Sequence, residues 1–207
     1  MGSNRSLSSH QSKQHYMAGI LPILLEFKEC CPEADKVLEP WAHLVNDFSH
    51  QATINKSDEL EVISAILKVY SSNGFGLRSG LHIPITAYGP YSSLIMSASS
   101  LTEALSLSDQ YQALGFGFCD VSYELNQNFL EMRFRVSLEN SALKRFILER
   151  ELAGYLRFSA SVMETQFEHA SVGFERELFN REEEDLFRTI YKGSLSFNQN
   201  HTWIRIP

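Results

Sequence analysis

Cysteine is scarce in this chain: three in 207 residues, with Cys30 and Cys31 adjacent and Cys119 far from both. No even set of thiols exists to staple a secreted fold, so a reducing cytosol is the expected compartment. Positive charge is in deficit as well. With 18 Lys+Arg against 25 Asp+Glu the formal charge is -7, which repels a phosphate backbone bound chiefly by Lys and Arg. The chain alone should not grip DNA or RNA. Long apolar runs are missing too: the longest, around Met17 to Leu25, is interrupted by Gly19 and Pro22 and stops at Glu26. That is well short of the roughly 20 residues a span needs, so no membrane partner is expected.

Catalytic signatures are equally absent. The chain carries no nucleophile elbow, Walker loop, dinucleotide fingerprint or HExxH string, and no cofactor is called for. Gly74, Gly76 and Gly80 are loosely spaced, with no preceding strand to aim them at a phosphate, and read as loop punctuation.

What is present is an ordinary globular composition, 43% hydrophobic and 21% charged, sufficient for a sizeable core. Residues 1–14 are Ser- and Gln-rich and read as a disordered tail or leader; the Met1-Gly2 start also fits an N-myristoylation pattern. One domain is expected over 15–207, helical over about 15–114 and sheet-containing over about 115–207. Helical spacing predicts a helix over Tyr16 to Phe27, with Pro32 as a stop, and a second short one over Val37, Trp41, Leu44, Val45 and Phe48. Ser57 reads as the N-cap of a third helix, through Tyr70. Residues 76–100 read as a loop followed by a short buried helix. Ser100 and Glu103 form a capping-box pair for a helix to Leu114.

Beyond it, Phe116 to Leu125 and Phe129 to Leu138 flank a turn at Asn126-Gln127-Asn128. The second strand alternates strictly: Leu130, Met132, Phe134, Val136 and Leu138 on one face, Glu131, Arg133, Arg135 and Ser137 on the other. The first changes parity, which predicts a bulge near Cys119-Asp120. A long helix from about Ser141 to Met163 follows, with Phe146, Ile147, Ala153, Leu156 and Met163 inward. Short strands are expected at about 171–175, 194–198 and 202–206, with a helix, Arg181 to Tyr191, capped by Asn180. The fold class is therefore α+β: N-terminal helices, then a mostly antiparallel β-sheet packed with helices.

Few residues invite a chemical role. His43, Asp47 and His50 share a helical face at metal-ligand spacing, but such a trio reads first as a solvated face, and no metal is expected. Cys30-Cys31 is either a redox or soft-metal sensor or a buried pair at a helix end. The run Glu182-Glu183-Glu184-Asp185 is explained by the helix dipole and by solvation. Two sets remain as candidate ligand contacts. Tyr88, Tyr91, Met96, Phe116 and Phe118 can line a pocket, with tyrosine hydroxyls for orientation. Arg133 and Arg135 can hold an anion if their face is covered, the alternative being an exposed sheet face with cross-strand ion pairs.

Three segments carry a resemblance in their order. These are Phe75-Gly76-Leu77-Arg78-Ser79-Gly80; Tyr88-Gly89-Pro90-Tyr91 through Ser100-Leu101-Thr102-Glu103-Ala104-Leu105 to Tyr111; and Val172-Gly173-Phe174 with Tyr191, Gly193, Phe197, Asn200 and Trp203-Ile204. Together they resemble the effector-binding, arabinose-binding-like N-terminal domain of AraC/XylS-type bacterial transcription regulators, over most of residues 17–207. Pro90 and His201-Thr202-Trp203 depart from that family's pattern. The resemblance implies a cytoplasmic, homodimeric, non-catalytic sensor that binds a small-molecule effector and modulates DNA binding by an attached helix-turn-helix domain. It implies DNA contact only through that C-terminal domain, which lies outside this chain, and RNA polymerase as a partner of the full-length regulator. It does not name arabinose as the effector. The competing readings are a ligand-independent dimerisation or protein-interaction module and a small hydrolase or transferase with His82 or His169 as base.

Overall fold

A short antiparallel pair, β1 (Gln14–Tyr16) with β2 (Thr53–Asn55), ties together the two stretches that feed the first long helices. The computed structural model describes residues 14–45, 52–111, 114–115, 117–125, 128–163, 170–178 and 180–207. The tail expected over 1–14 lies outside these residues except for Gln14, as do Phe48, Asp47, His50, Phe116 and His169. Helix α1 (Met17–Cys30) buries Met17, Ile20, Ile23, Leu24 and Phe27 in one stripe. It ends at Cys31, which is extended, the preference of a residue before proline.

Several expectations are corrected. The single helix predicted over 37–48 is broken into α2 (Ala34–Leu38), a 3-10 turn (Glu39–Trp41) and α3 (Ala42–Val45), because Pro40 has no N–H to continue the ladder. Helix α4 (Lys56–Val69) starts before the predicted Ser57 cap: pairing of Asn55 with Gln14 holds Asn55 extended, and the chain turns helical directly after it.

The largest correction concerns residues 76–100. They begin with α5 (Phe75–Leu81), entered through Gly74 at a φ of 67°. A 3-10 turn (Ile85–Tyr88) and α6 (Gly89–Met96) follow. Gly76 and Gly80 are not loop punctuation; one helical turn apart, they face the backbone of α8 (Ser141–Met163). A Cβ on Gly76 would lie 2.5 Å from the Phe146 carbonyl oxygen, and one on Gly80 2.2 Å from that of Arg150. Arg78 ties α5 to α1, donating to Glu26 from Nη2 at 2.5 Å and from Nε at 3.2 Å.

Helix α7 (Leu101–Tyr111) opens on the predicted pair, with the Glu103 amide donating to Ser100 Oγ at 3.2 Å. The Glu103 carboxylate reaches one residue further back, accepting from the Ser99 amide at 2.7 Å. The sheet then forms from β3 (Asp120–Leu125), β4 (Leu130–Arg135), β5 (Ser171–Gly173), β6 (Leu195–Ser196) and β7 (Thr202–Ile206), in the order β3-β4-β7-β5-β6. All described pairs are antiparallel except β5 with β6. No bulge interrupts β3: its register runs unbroken from Asp120–Arg135 to Leu125–Leu130, and the change of parity falls earlier, at Phe118-Cys119, before the ladder begins.

Helix α9 (Arg181–Ile190) is capped as predicted, Asn180 Oδ1 accepting from the Glu183 amide at 2.9 Å. The sheet lays Leu130, Met132, Phe134, Ile204, Ile206 and Val172 against α8, whose Phe146, Ile147, Leu152 and Ala153 sit in the main core with α1, α4 and α5. A smaller core joins Ala18, Ala87, Tyr88, Tyr91, Ile95, Ala104 and Phe158. Among the described residues no helix is long and apolar enough to cross a membrane.

Candidate ligand-binding site

The second core does not close completely. Between α6, α7, the C-terminal half of α8 and the sheet lies a cavity of about 320 Å³. Helical spacing aims each wall at it: Tyr91 and Ile95 from α6, Ala104, Leu105 and Ser108 from α7, Tyr155, Phe158 and Ser159 from α8. The floor is Leu130 and Met132 of β4 with Ile206 of β7, and Leu130 and Ile206 are direct cross-strand partners. Ala98, Ser99 and Ser100, between α6 and α7, complete the lining.

Every polar side chain among the described lining residues carries a hydroxyl group. Tyr91 and Ser108 hydroxyls lie 2.5 Å apart, joining α6 to α7. Burial pushes the Tyr91 phenol up, against hydrogen bonds to Ser108 and Tyr155 that pull it down, and burial pushes Tyr155 well up. All stay neutral near pH 7. The Phe158 ring stacks on Tyr91 with centroids 6.2 Å apart and tilts against Tyr88 at 4.8 Å.

Of the candidate residues, Tyr91 lines the cavity. Tyr88 is buried behind it against Phe158. Met96, 56% exposed, points away, since it stands a further 100° round α6 from Ile95. Phe118 is buried under His15, with ring centroids 4.9 Å apart. Arg133 and Arg135 are exposed on the opposite face of the sheet from Leu130 and Met132. There Arg133 donates to Glu131 at 2.7 Å and to Glu124 at 3.0 Å, and Arg205 donates to Glu131 as well. That is the exposed face with cross-strand ion pairs. The lining from α7, α8 and β7 carries no local sequence signal of its own; the nearest is the alternation of Leu130 and Met132.

Beyond Tyr88 and Tyr155 lies a buried ionic cluster. Glu59 accepts from Arg150 Nη2 at 3.0 Å and sits 2.6 Å from His15 Nδ1, and the side chains of Glu59 and Arg150 are 0% exposed. Burial alone would push the Glu59 carboxyl up, but Arg150 and His15 outweigh it and hold it below its ordinary 4.5. Glu151 differs: burial pushes its carboxyl up, and Arg150 only partly opposes this. Because its folded-state proton affinity is raised, Glu151 costs stability as pH climbs above the ordinary carboxylate range. Glu151→Gln is therefore expected to be more stable than the parent at pH 7–8 and to show a flatter melting-temperature profile from pH 5 to 8. A parallel, unshifted profile would contradict that reading.

Other sequence features resolve simply. Glu183 is not solvated but fully buried, bound by Arg145 and by Arg176, the latter at 2.9 Å; its neighbours Glu182 and Asp185 are exposed. Cys30, the last residue of α1, is exposed and Cys31 half-buried, not the buried pair at a helix end; Cys119 is buried and its thiol pushed well up by burial. His82 is exposed, with Nδ1 2.8 Å from the Arg78 carbonyl. Among the described residues no group of three His, Cys, Asp or Glu side chains is placed to hold a metal.

Comparison with known proteins adds to this geometry. Residues 45–207 match the family model described as the arabinose-binding domain of AraC transcription regulator, N-term. No curated protein matches the chain. Among solved structures, the transcriptional regulator CdpR from Pseudomonas aeruginosa is similar, with a TM-score of 0.55 at 10% identity, over 83% of this chain and 54% of that one. At that identity the likeness concerns the fold, and the chain spans about half the length of that regulator. The chain belongs to the family of N-terminal arabinose-binding domains of AraC transcription regulators.

Proposed function

We propose that this chain is the sensing part of an AraC-type regulator, a cytoplasmic homodimer in which a small effector enters the cavity between α6, α7, α8 and the sheet. The observation that carries the reading is the cavity itself: a concave, largely apolar space with a few hydroxyls, near the lower end of the usual ligand-site range of about 300–1,000 Å³. Its walls come from separate elements. A ligand that touches α7 and the sheet together changes their relative energy, and it shifts an equilibrium only as far as it prefers one arrangement. The arrangement biased is the pairing of two chains or the posture of an attached helix-turn-helix domain. Catalysis has no part in it.

Ala104→Trp tests the reading by filling the cavity from α7. The variant is expected to melt at or above the parent temperature, a filled void being worth about 0.5–2 kcal/mol. It should also lose every thermal shift that small metabolites give the parent. Ligand shifts that survive in Ala104→Trp and in Ser159→Phe, on the facing wall, would place the effector elsewhere.

A specific observation favours a second reading, a protein-interaction module. Tyr123 and Leu125 on the edge strand β3 are 39% and 43% exposed, although they project from the same sheet face as Met132 and Leu130. Tyr123→Lys would then change oligomeric state in sedimentation, leaving ligand shifts intact.

A further inference from the structure

We propose that the cavity takes a neutral, largely apolar molecule carrying one or two oxygen atoms, and neither a sugar nor a carboxylate; this rests on the cavity being the effector site. Among the described residues lining it there is no Lys, Arg, His, Asp or Glu side chain. An anion entering it would lose its water and gain no counter-charge from the lining.

Four of the six hydroxyls that line it are already engaged within the protein. Ser99 Oγ donates to Glu103 at 2.6 Å, and Ser100 Oγ accepts from the Glu103 amide. Tyr91 and Ser108 bond to each other at 2.5 Å. A pentose needs a partner for nearly every oxygen it carries, and each one left unmet in an apolar space is a penalty. A single hydroxyl or carbonyl placed at the Tyr155 or Ser159 hydroxyl is met at once. Leu105, Leu130, Met132, Phe158 and Ile206 then cover the apolar remainder.

The test titrates the 207-residue chain by calorimetry with 1-octanol, sodium octanoate and L-arabinose. At pH 8 octanol should bind at least about 100-fold more tightly than octanoate or arabinose. Octanoate should gain about tenfold per pH unit from pH 8 to 6, because only its neutral acid enters. Ala104→Trp and Ser159→Phe should each abolish octanol binding, and Tyr155→Phe should weaken it about three- to tenfold. Arabinose, or octanoate at pH 8, binding more tightly than octanol and lost in Ala104→Trp would overturn the ligand class while leaving the cavity as the site. Binding of none of the three, or binding indifferent to both cavity variants, would overturn the class and the site together.

Discussion

Alanine at position 80 is expected to lower the melting temperature by about 6–12 °C or to leave the chain without a stable fold. The added methyl would stand 2.2 Å from the Arg150 carbonyl oxygen and 2.8 Å from the Ala153 Cβ, atoms of a helix that cannot swing aside like the end of a long side chain. Relief requires separating α5 from α8, and Leu77, on α5, is fully buried in the main core. Helix propensity argues the other way, worth about 1 kcal/mol in favour of alanine, but overpacking costs about 1–3 kcal/mol and more where backbone meets backbone. For a chain of this size a net loss of 3 kcal/mol corresponds to roughly 6–12 °C. Gly76→Ala should behave alike, its methyl lying 2.5 Å from the Phe146 carbonyl oxygen. Scanning calorimetry of both variants checks this; melting within 2 °C of the parent would show that the two helices do not meet so closely.

Arg150→Met should cost about 3–5 kcal/mol in urea unfolding. It leaves Glu59 buried with the His15 ring but without the guanidinium that does most to hold it ionised, and breaking a buried ion pair from one side is among the most damaging changes available to a core. The loss should depend on pH in a fixed direction. In the parent, the depressed carboxyl of Glu59 contributes stability above the ordinary carboxylate value of 4.5, and that stability disappears as pH falls through the lower folded-state value. The variant's deficit is therefore largest near neutrality and narrows in acid. Adding Glu59→Gln should recover much of it, because the charge that needed compensation is gone. A double variant no better than Arg150→Met would mean that the guanidinium stabilises the fold through its bond to the Gly19 carbonyl at 3.0 Å instead.

These two sites also show why parts of the molecule were legible in the sequence and others were not. Helix α8 matched its predicted span and α9 its predicted cap, because both are set by local signals: apolar spacing and a side chain that accepts from an amide three residues on. The strict alternation of β4 identified its core face, and Arg133 on the other face pairs with Glu131 and Glu124. Helix α5 was missed because Gly76 and Gly80 carry no apolar signal; their meaning is a close approach to a helix some seventy residues later in the chain. Glu59 and Arg150 are ninety-one residues apart, and no local pattern joins them. The cavity was legible only at Tyr91, since its other walls meet across α7, α8 and two strands that no local pattern relates.

Methyl-resonance NMR of the 207-residue chain titrated with 1-octanol shows whether the space between α6, α7, α8 and the sheet is the effector site. Saturable shifts at Leu105, Leu130, Met132 and Ile206, which line it, are the predicted result, with Leu25 and Val69 on the exposed faces of α1 and α4 unmoved. No saturable shifts, or shifts confined to Leu25, Val69 and other residues outside the lining, would contradict it.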